Sequence, residues 1–357
     1  MRYLGNKTKL LEFIDGVIDK YDISGDTFVD LFSGSCSVGD YFKDRFTVIT
    51  NDYMYFAKVI AAAKITNSDT PSFSAFKNAF GCSPFDYLNN LEYTAKDTSF
   101  VYQNYSPVAN RMYFSADNAA RIDGIRLEIE RLYKENYLSE SEYYYVLASL
   151  LESVLRVSNT SGTYQAFFKF WESRAVKTLA VEPLELKSCD TVRTGNMAFC
   201  EDANSLARSI SGDIVYIDPP YTITQYANSY HVLETIARYD NPELFGKTGR
   251  RKNRTLSNYS NKNKAIYEFE DLFRQLNFTH VLISYSNQSL VPLDELIDLA
   301  SKFAVDGVVH LETNSYREYS TNNPSYKDNG EGLKETILYF KKDSTVNKSP
   351  LSCTSPL

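Results

Sequence analysis

The run "DIVYIDPPYTITQY", residues 213–226, places an acid, two prolines and a tyrosine directly after a β-branched and aromatic stretch. Residues 214–217 suit a buried strand, and Pro219 and Pro220 prevent its ladder from continuing. Asp218 and Tyr221 therefore stand at the carboxyl end of a strand, the edge at which open α/β sheets bind ligands. A carboxylate beside a proline carbonyl offers two acceptors to one amine, and a tyrosine ring offers a face to a planar base.

Further acids occupy similar places. "DLFSGSCSVG", residues 30–39, ends a strand in an acid and opens a helix through glycines, which lets backbone N–H groups approach a ligand. It meets neither the dinucleotide nor the P-loop pattern, and a tight structural turn explains it equally well. Asp52, after the strand "TVIT", lies about 20 residues beyond that turn, where an acid can accept from a ribose diol or simply cap a helix. Asp202 follows a third strand in the same way. Three strand-end acids and a glycine turn, with no phosphate-binding lysine, suit a nucleoside ligand such as S-adenosylmethionine. Methyl transfer to an exocyclic amine needs the nitrogen lone pair drawn out of conjugation. Asp218 and the Pro219 carbonyl can do this by accepting both N–H bonds.

The order of motifs resembles the DPPY-class N6-adenine DNA methyltransferases, the family that includes adenine methylases of restriction-modification systems. "RYLGNKTKLL" is similar to the family's amino-terminal cofactor motif, "DLFSGSCSVG" to its first sheet motif, "ND" at 51–52 to the ribose acid, and "DPPYTITQY" to the catalytic loop. "NYSNKNKA" and "LISYSNQ" resemble stretches that follow that loop. The resemblance covers the sheet half of the chain and departs at Ser33, Ser35 and Cys36. It implies that Tyr3 and Lys7 contact the cofactor or the edge of the site. It further implies that Asp30, Phe32 and Gly34 line the methionine end, that Asp52 holds the ribose and that Asp202 approaches the cofactor's adenine. Asp218, Pro219, Pro220 and Tyr221 then receive the target adenine, with Asp218 also facing the cofactor.

An adenine within a duplex must be flipped out, at a cost of roughly a few kcal/mol, to reach such a pocket. Stacking on Tyr221, about 1–3 kcal/mol per base, offsets part of this. The run "GKTGRRKNRTLSNYSNKNK", residues 246–264, carries Lys247, Arg250, Arg251, Lys252, Arg254, Lys262 and Lys264 without an acid. A solvated loop is the ordinary reading of such a run, but its place after the catalytic loop favours DNA phosphate contact, joined by Tyr226. The aromatic stretch "SNTSGTYQAFFKFW", residues 158–171, reads as a cluster near DNA or as core packing. His231 and Glu234 read as structural, and Cys36 and Cys200 as small buried residues rather than nucleophiles.

The elements that position these residues alternate. A helix at "NKTKLLEFIDGVIDKY", a strand at "TFVDLF", a helix after "SGSCSVG", a strand at "FTVIT" and a helix at "YFAKVIAAAKI" give the rhythm of a doubly wound sheet. The rhythm stops near Thr66. Two helical patterns follow, "SADNAARIDGIRLEIERLY" with Ser115 as N-cap and "SESEYYYVLASLLESVLRV". Strands resume at "NMAFC", "DIVYI", "THVLISYS", "DGVVHLETNSY" and "KETILYFKK", the last antiparallel across the loop "REYSTNNPSYKDNGEG". The expected fold is α/β, a Rossmann-like S-adenosylmethionine-dependent methyltransferase fold with a seven-stranded, mostly parallel sheet. Residues 1–66 and 189–343 form the catalytic domain, 67–188 a helical insertion that reads target sequence, and 344–357 a disordered tail.

Bulk properties set limits on this reading. The 357 residues include five scattered cysteines and three histidines, which give neither a disulfide framework nor metal-ligand spacing. No signal-peptide core or membrane-length apolar run is present, so a cytoplasmic soluble protein with no metal is expected. A net charge of −7 argues against binding nucleic acid over the whole surface while permitting a local basic patch. The leading expectation is an adenine-specific DNA methyltransferase of a restriction-modification system, acting on double-stranded DNA beside a cognate restriction endonuclease. Same-fold transfer to RNA adenine, DNA cytosine N4 or protein glutamine, and a noncatalytic DNA-binding subunit, are the alternatives; Asp rather than Asn at 218 favours DNA adenine.

Overall fold

The computed structural model describes residues 3–315 and 334–346. The loop at 317–332 and positions 347–357 of the expected tail lie outside the described residues. Nine strands occur among the described residues: β1 Thr27–Asp30, β2 Thr47–Asn51, β3 Met197–Phe199, β4 Gly212–Ile217, β5 Leu244–Phe245, β6 Arg250–Arg251, β7 Phe278–Ser286, β8 His310–Ser315 and β9 Lys334–Lys341. Seven form one sheet in the order β3-β2-β1-β4-β7-β9-β8, and β5 and β6 form a separate ribbon. β2 is parallel to β3, and β4 is parallel to both β1 and β7. β9 runs antiparallel to β7 and β8 and lies between them. The expected α/β architecture with an antiparallel last strand is therefore present.

The chain divides into two compact units, neither continuous in sequence. The first comprises residues 3–11, 32–201 and 224–256; the second comprises 12–31, 202–223 and the described residues from 257. In the first unit, helix Tyr55–Ile65 is apolar around most of its circumference and is buried accordingly. It packs against β2, β3 and helices Glu140–Arg156 and His231–Arg238. Residues 67–188 contain five α-helices and no strand. Ser115 caps the helix Ala116–Lys134 by accepting from Asn118 N, and Ser139 forms a reciprocal capping box with Glu142 at the start of Glu140–Arg156. These two helices share one apolar core with Tyr55–Ile65 and His231–Arg238, through residues such as Ile60, Ile125, Leu150 and Leu233. Each such fully buried side chain contributes about 2 kcal/mol.

In the second unit, residues 214–217 of β4 are buried without interruption, as a strand covered on both faces requires. After β9, Thr345 N donates to Asp343 Oδ1 at 2.8 Å and closes a turn.

Candidate active site

Asp213 explains why an acid precedes the apolar strand. Its Oδ2 accepts from the N–H groups of Asp26 and Thr27 and from the Thr27 hydroxyl, while its own N–H donates to Thr27 Oγ1. This fastens the amino ends of β1 and β4, so their carboxyl ends emerge in register. Asp30 lies opposite Tyr216, and Leu31 N donates to the Tyr216 carbonyl at 3.1 Å. Asp30 is buried, and Asp218 and Pro219 follow β4 immediately, with Asp218 partly exposed and Pro219 buried. Tyr221 is held from β7 and the segment after it. Its carbonyl accepts from Leu290 N at 2.9 Å, and its ring meets Tyr285 edge-on at 6.1 Å. Tyr285 in turn bonds both backbone groups of Val291. Asp202, also in this unit, is exposed and caps the short helix Ala203–Ala207 through Ser205 N.

The first unit gathers Tyr3, Lys7, Phe32, Gly34 and Asp52. Ser33 N donates to the Asn51 carbonyl at 2.8 Å, and the two Asp52 oxygens accept from Gly34 N at 3.0 Å and Met54 N at 2.9 Å. One carboxylate thus ties the glycine turn to the end of β2. Burial pushes the Asp52 carboxyl up to about 6, against the two backbone N–H groups, which favour its charged form. Gly34 has φ +48°, and a Cβ there would sit 2.6 Å from Tyr3 Cε1. Tyr3 stacks on Tyr230 at 4.8 Å and packs on Tyr226 and Phe56. The Leu4 backbone is clasped by two hydroxyls, its N–H donating to Tyr230 and its carbonyl accepting from Tyr226. Tyr226 thus braces the amino-terminal motif, and Lys7 is buried close behind it in sequence.

Glu234 has a role that spacing alone could not reveal. It is buried, and its carboxylate accepts from Tyr55 N and Phe56 N, the first N–H groups of helix Tyr55–Ile65, and from Arg238. With Asp52 on Met54 N, two acids from distant parts of the chain satisfy the start of that helix, where negative charge is favoured. Among the described residues no group of three His, Cys, Asp or Glu side chains is placed to hold a metal ion, and no helix is long and apolar enough to cross a membrane.

A sequence profile of the D12 class N6 adenine-specific DNA methyltransferases matches residues 3–295. The chain belongs to this family. Similar curated relatives include modification methylase LlaI of Lactococcus lactis subsp. lactis, 66% identical over 99% of this chain and 57% of that protein. Modification methylase StsI of Streptococcus sanguinis is 40% identical over 98% of this chain and 53% of its own length. Type II methyltransferase M.NlaIII of Neisseria lactamica is 34% identical over 92% of this chain and 96% of its own. This D12 chain thus spans little more than half the length of the first two. Membership in a methyltransferase family implies a methyl donor.

The basic run of this D12 chain is not one uniform loop. It begins in the β5–β6 ribbon, which sequence reasoning missed because two-residue strands carry no periodicity. Arg251 is buried and holds Asp240 through two bonds of 2.8 and 2.6 Å, and exposed Lys252 pairs with Glu243 at 2.8 Å. Their charges are already matched within the protein. Lys247 is exposed, Arg250 is half-buried, and Arg254 donates to Asn228 Oδ1. Lys262 and Lys264, in the second unit, are exposed. The aromatic stretch takes a middle course between core and surface: Phe167 packs edge-on against Tyr113, whereas Phe170 is 61% exposed and stacked on Phe168. Buried Asn159 holds the carbonyls of Phe168 and Phe170.

Proposed function

We propose that this chain transfers a methyl group from S-adenosylmethionine to the exocyclic N6 of an adenine flipped out of duplex DNA. In this reading it is the modification enzyme of a restriction-modification system, working in the cytoplasm beside a cognate endonuclease. The observation that carries the proposal is the tetrad Asp218, Pro219, Pro220 and Tyr221 at the carboxyl end of β4, in a chain of the D12 family.

The residues present fit the cofactor. Asp52, tied to the glycine turn through Gly34 N, is a buried acceptor with lone pairs beyond the two N–H bonds it already takes. Tyr3, Lys7, Asp30, Phe32, Gly34, Asp52, Asp202 and Asp218 would hold S-adenosylmethionine, which when bound supplies an electrophilic methyl on a sulfonium. The Asp218 carboxylate and Pro219 carbonyl accept the two N–H bonds of the amine, which draws its lone pair out of conjugation. Tyr221, braced by Leu290 and Tyr285, offers a fixed ring on which the base stacks. The amine's excess proton leaves to solvent, so no general base is required. Residues 67–188 would read the sequence around the target, and residues 1–66 with 189–343 would carry the chemistry.

The test is transfer of labelled methyl to unmethylated genomic duplex DNA, followed by digestion to nucleosides, beside Asp218→Ala. N6-methyladenine from the wild type, and none from the variant although it still binds cofactor, is the expected result. Unlabelled DNA with bound cofactor would move the substrate to RNA or to a protein amide.

A further inference from the structure

The turn between β5 and β6 has four consecutive carbonyls, each held from the protein side. Arg111 donates through Nη2 to Gly246 O at 3.2 Å and through Nε to Lys247 O at 3.1 Å. Thr248 O receives the Tyr113 hydroxyl at 3.1 Å and lies 2.8 Å from His231 Nε2, and Gly249 O accepts from the Tyr105 hydroxyl at 2.9 Å. Gly249 is packed so tightly at φ +65° that a Cβ would meet Arg111 and Tyr105 at 3.0 Å. An exposed turn whose lysine projects to solvent ordinarily leaves its carbonyls to water. Here residues from two helical regions fix all four.

The ribbon also sorts its cations. Arg251 and Lys252 are paired with acids, whereas Arg111, Lys247, Arg250 and Arg254 have no ion pair among the described residues. Arg250 and Arg254 both lie against the Phe245 ring, at 5.2 and 4.6 Å from its centre. Arg250 Nε is buried with no hydrogen-bond partner among the described residues. Burial and the neighbouring Arg250 charge both lower the Arg254 pKa, as expected for like charges held close together. Cations of one sign fixed on a rigid turn, in a chain of net charge −7, call for an anionic partner.

We infer that the β5–β6 turn is a preformed clamp for DNA backbone phosphate, with Lys247, Arg250 and Arg254 as its contacts and Arg111, Tyr105, Tyr113 and His231 as the residues that position it. The inference rests on the DNA reading above and narrows it, since most of the grip comes from the unpaired cations of this turn rather than from the whole basic run. Guanidiniums stacked on a ring are held in the plane that suits a phosphate's oxygens. Fixing the turn in advance removes the ordering cost that a flexible basic loop would bear on binding.

Binding of the full chain to a fluorescent duplex, followed by anisotropy over a salt series, tests this. One phosphate contact contributes a slope of about 0.9 in log affinity against log salt, or roughly eightfold at about 0.1 M salt. Lys247→Gln and Arg254→Gln should each weaken binding by about that factor and lower the slope by about one, on any sequence. Tyr113→Phe removes no charge and, measured well below its own melting transition, should still weaken binding severalfold while leaving the salt slope unchanged. Lys20→Gln, on a helix of the other unit, is the control for general charge. Variants that bind with wild-type affinity and slope, in an enzyme that methylates DNA, would overturn the clamp and leave the reaction standing. A wild type that binds no duplex would overturn both.

Discussion

Replacing Gly34 with alanine should destabilise the first unit by about 2–3 kcal/mol, and about 1 kcal/mol of that cost should depend on Tyr3. The backbone at 34 has φ +48°, a left-handed conformation that costs a residue with a Cβ about 1–2 kcal/mol. The new methyl would lie 2.6 Å from Tyr3 Cε1, so the ring must move. Moving it gives up the stack on Tyr230 at 4.8 Å, an arrangement worth about 0.5–1.5 kcal/mol. In a Tyr3→Ala background the clash is gone, and only the backbone cost remains. A double-mutant cycle by urea denaturation should therefore return a coupling of about 1 kcal/mol. If Gly34→Ala costs the same in both backgrounds, Tyr3 does not seat on the glycine turn and the shared cofactor role assigned to the pair loses its support. Titration with S-adenosylmethionine gives a second readout, since a displaced Tyr3 should weaken binding even where the fold survives.

The Asp52 carboxyl, raised to about 6 by burial, should lose its acceptor character as pH falls through that value. Cofactor affinity should then drop below about pH 6 in the wild type and stay flat in Asp52→Asn, as calorimetry across pH would record. Buried His231 has its pKa pushed down to about 4 by burial, against the two carbonyls beside it, so it stays neutral in the fold while the unfolded chain takes up a proton below about 6.5. Stability should fall as pH drops from about 6.5 towards 4, by about 3 kcal/mol in all, and His231→Gln should flatten that limb relative to wild type in denaturant melts. Arg251→Ala, which leaves Asp240 without its two bonds, should cost about 2 kcal/mol in the same melts, whereas Lys252→Ala, at an exposed pair, should cost under about 1 kcal/mol.

The seven sheet strands and the long helices were legible because each carries a strong local pattern: an unbroken apolar run in residues 214–217, three-four spacing from Ile122 to Leu132, and serine caps at 115 and 139. Strand order was not legible, because nothing local in "KETILYFKK" says that β9 inserts between β7 and β8. The tetrad at 218–221 announced itself by composition, since proline after a strand has few explanations. Glu234 did not, because its partners Tyr55 and Phe56 lie far away in sequence and its helix reads as an ordinary amphipathic one. The sorting of cations on and after the ribbon at 244–251 was hidden for a related reason: its signal lies in which of them have acids beside them. A linear charge count treats Arg251 and Arg254 alike, yet one is held by Asp240 and the other lies on Phe245.

The division of the chain bears on how it comes to be folded. Phe28 pairs with Ile214, and the acid that fastens β1 is Asp213, so β1 lacks β4 beside it until the whole helical stretch has been synthesised. The last piece of the first unit, residues 224–256, is made later still and brings Glu234 to the start of helix Tyr55–Ile65. Closing such long loops adds little to the equilibrium cost but slows the search. During synthesis the half-built sheet therefore offers an unpaired strand edge, and the helical stretch, rich in local contacts, is the part able to fold first, with the face that His231–Arg238 covers left open until that helix is made.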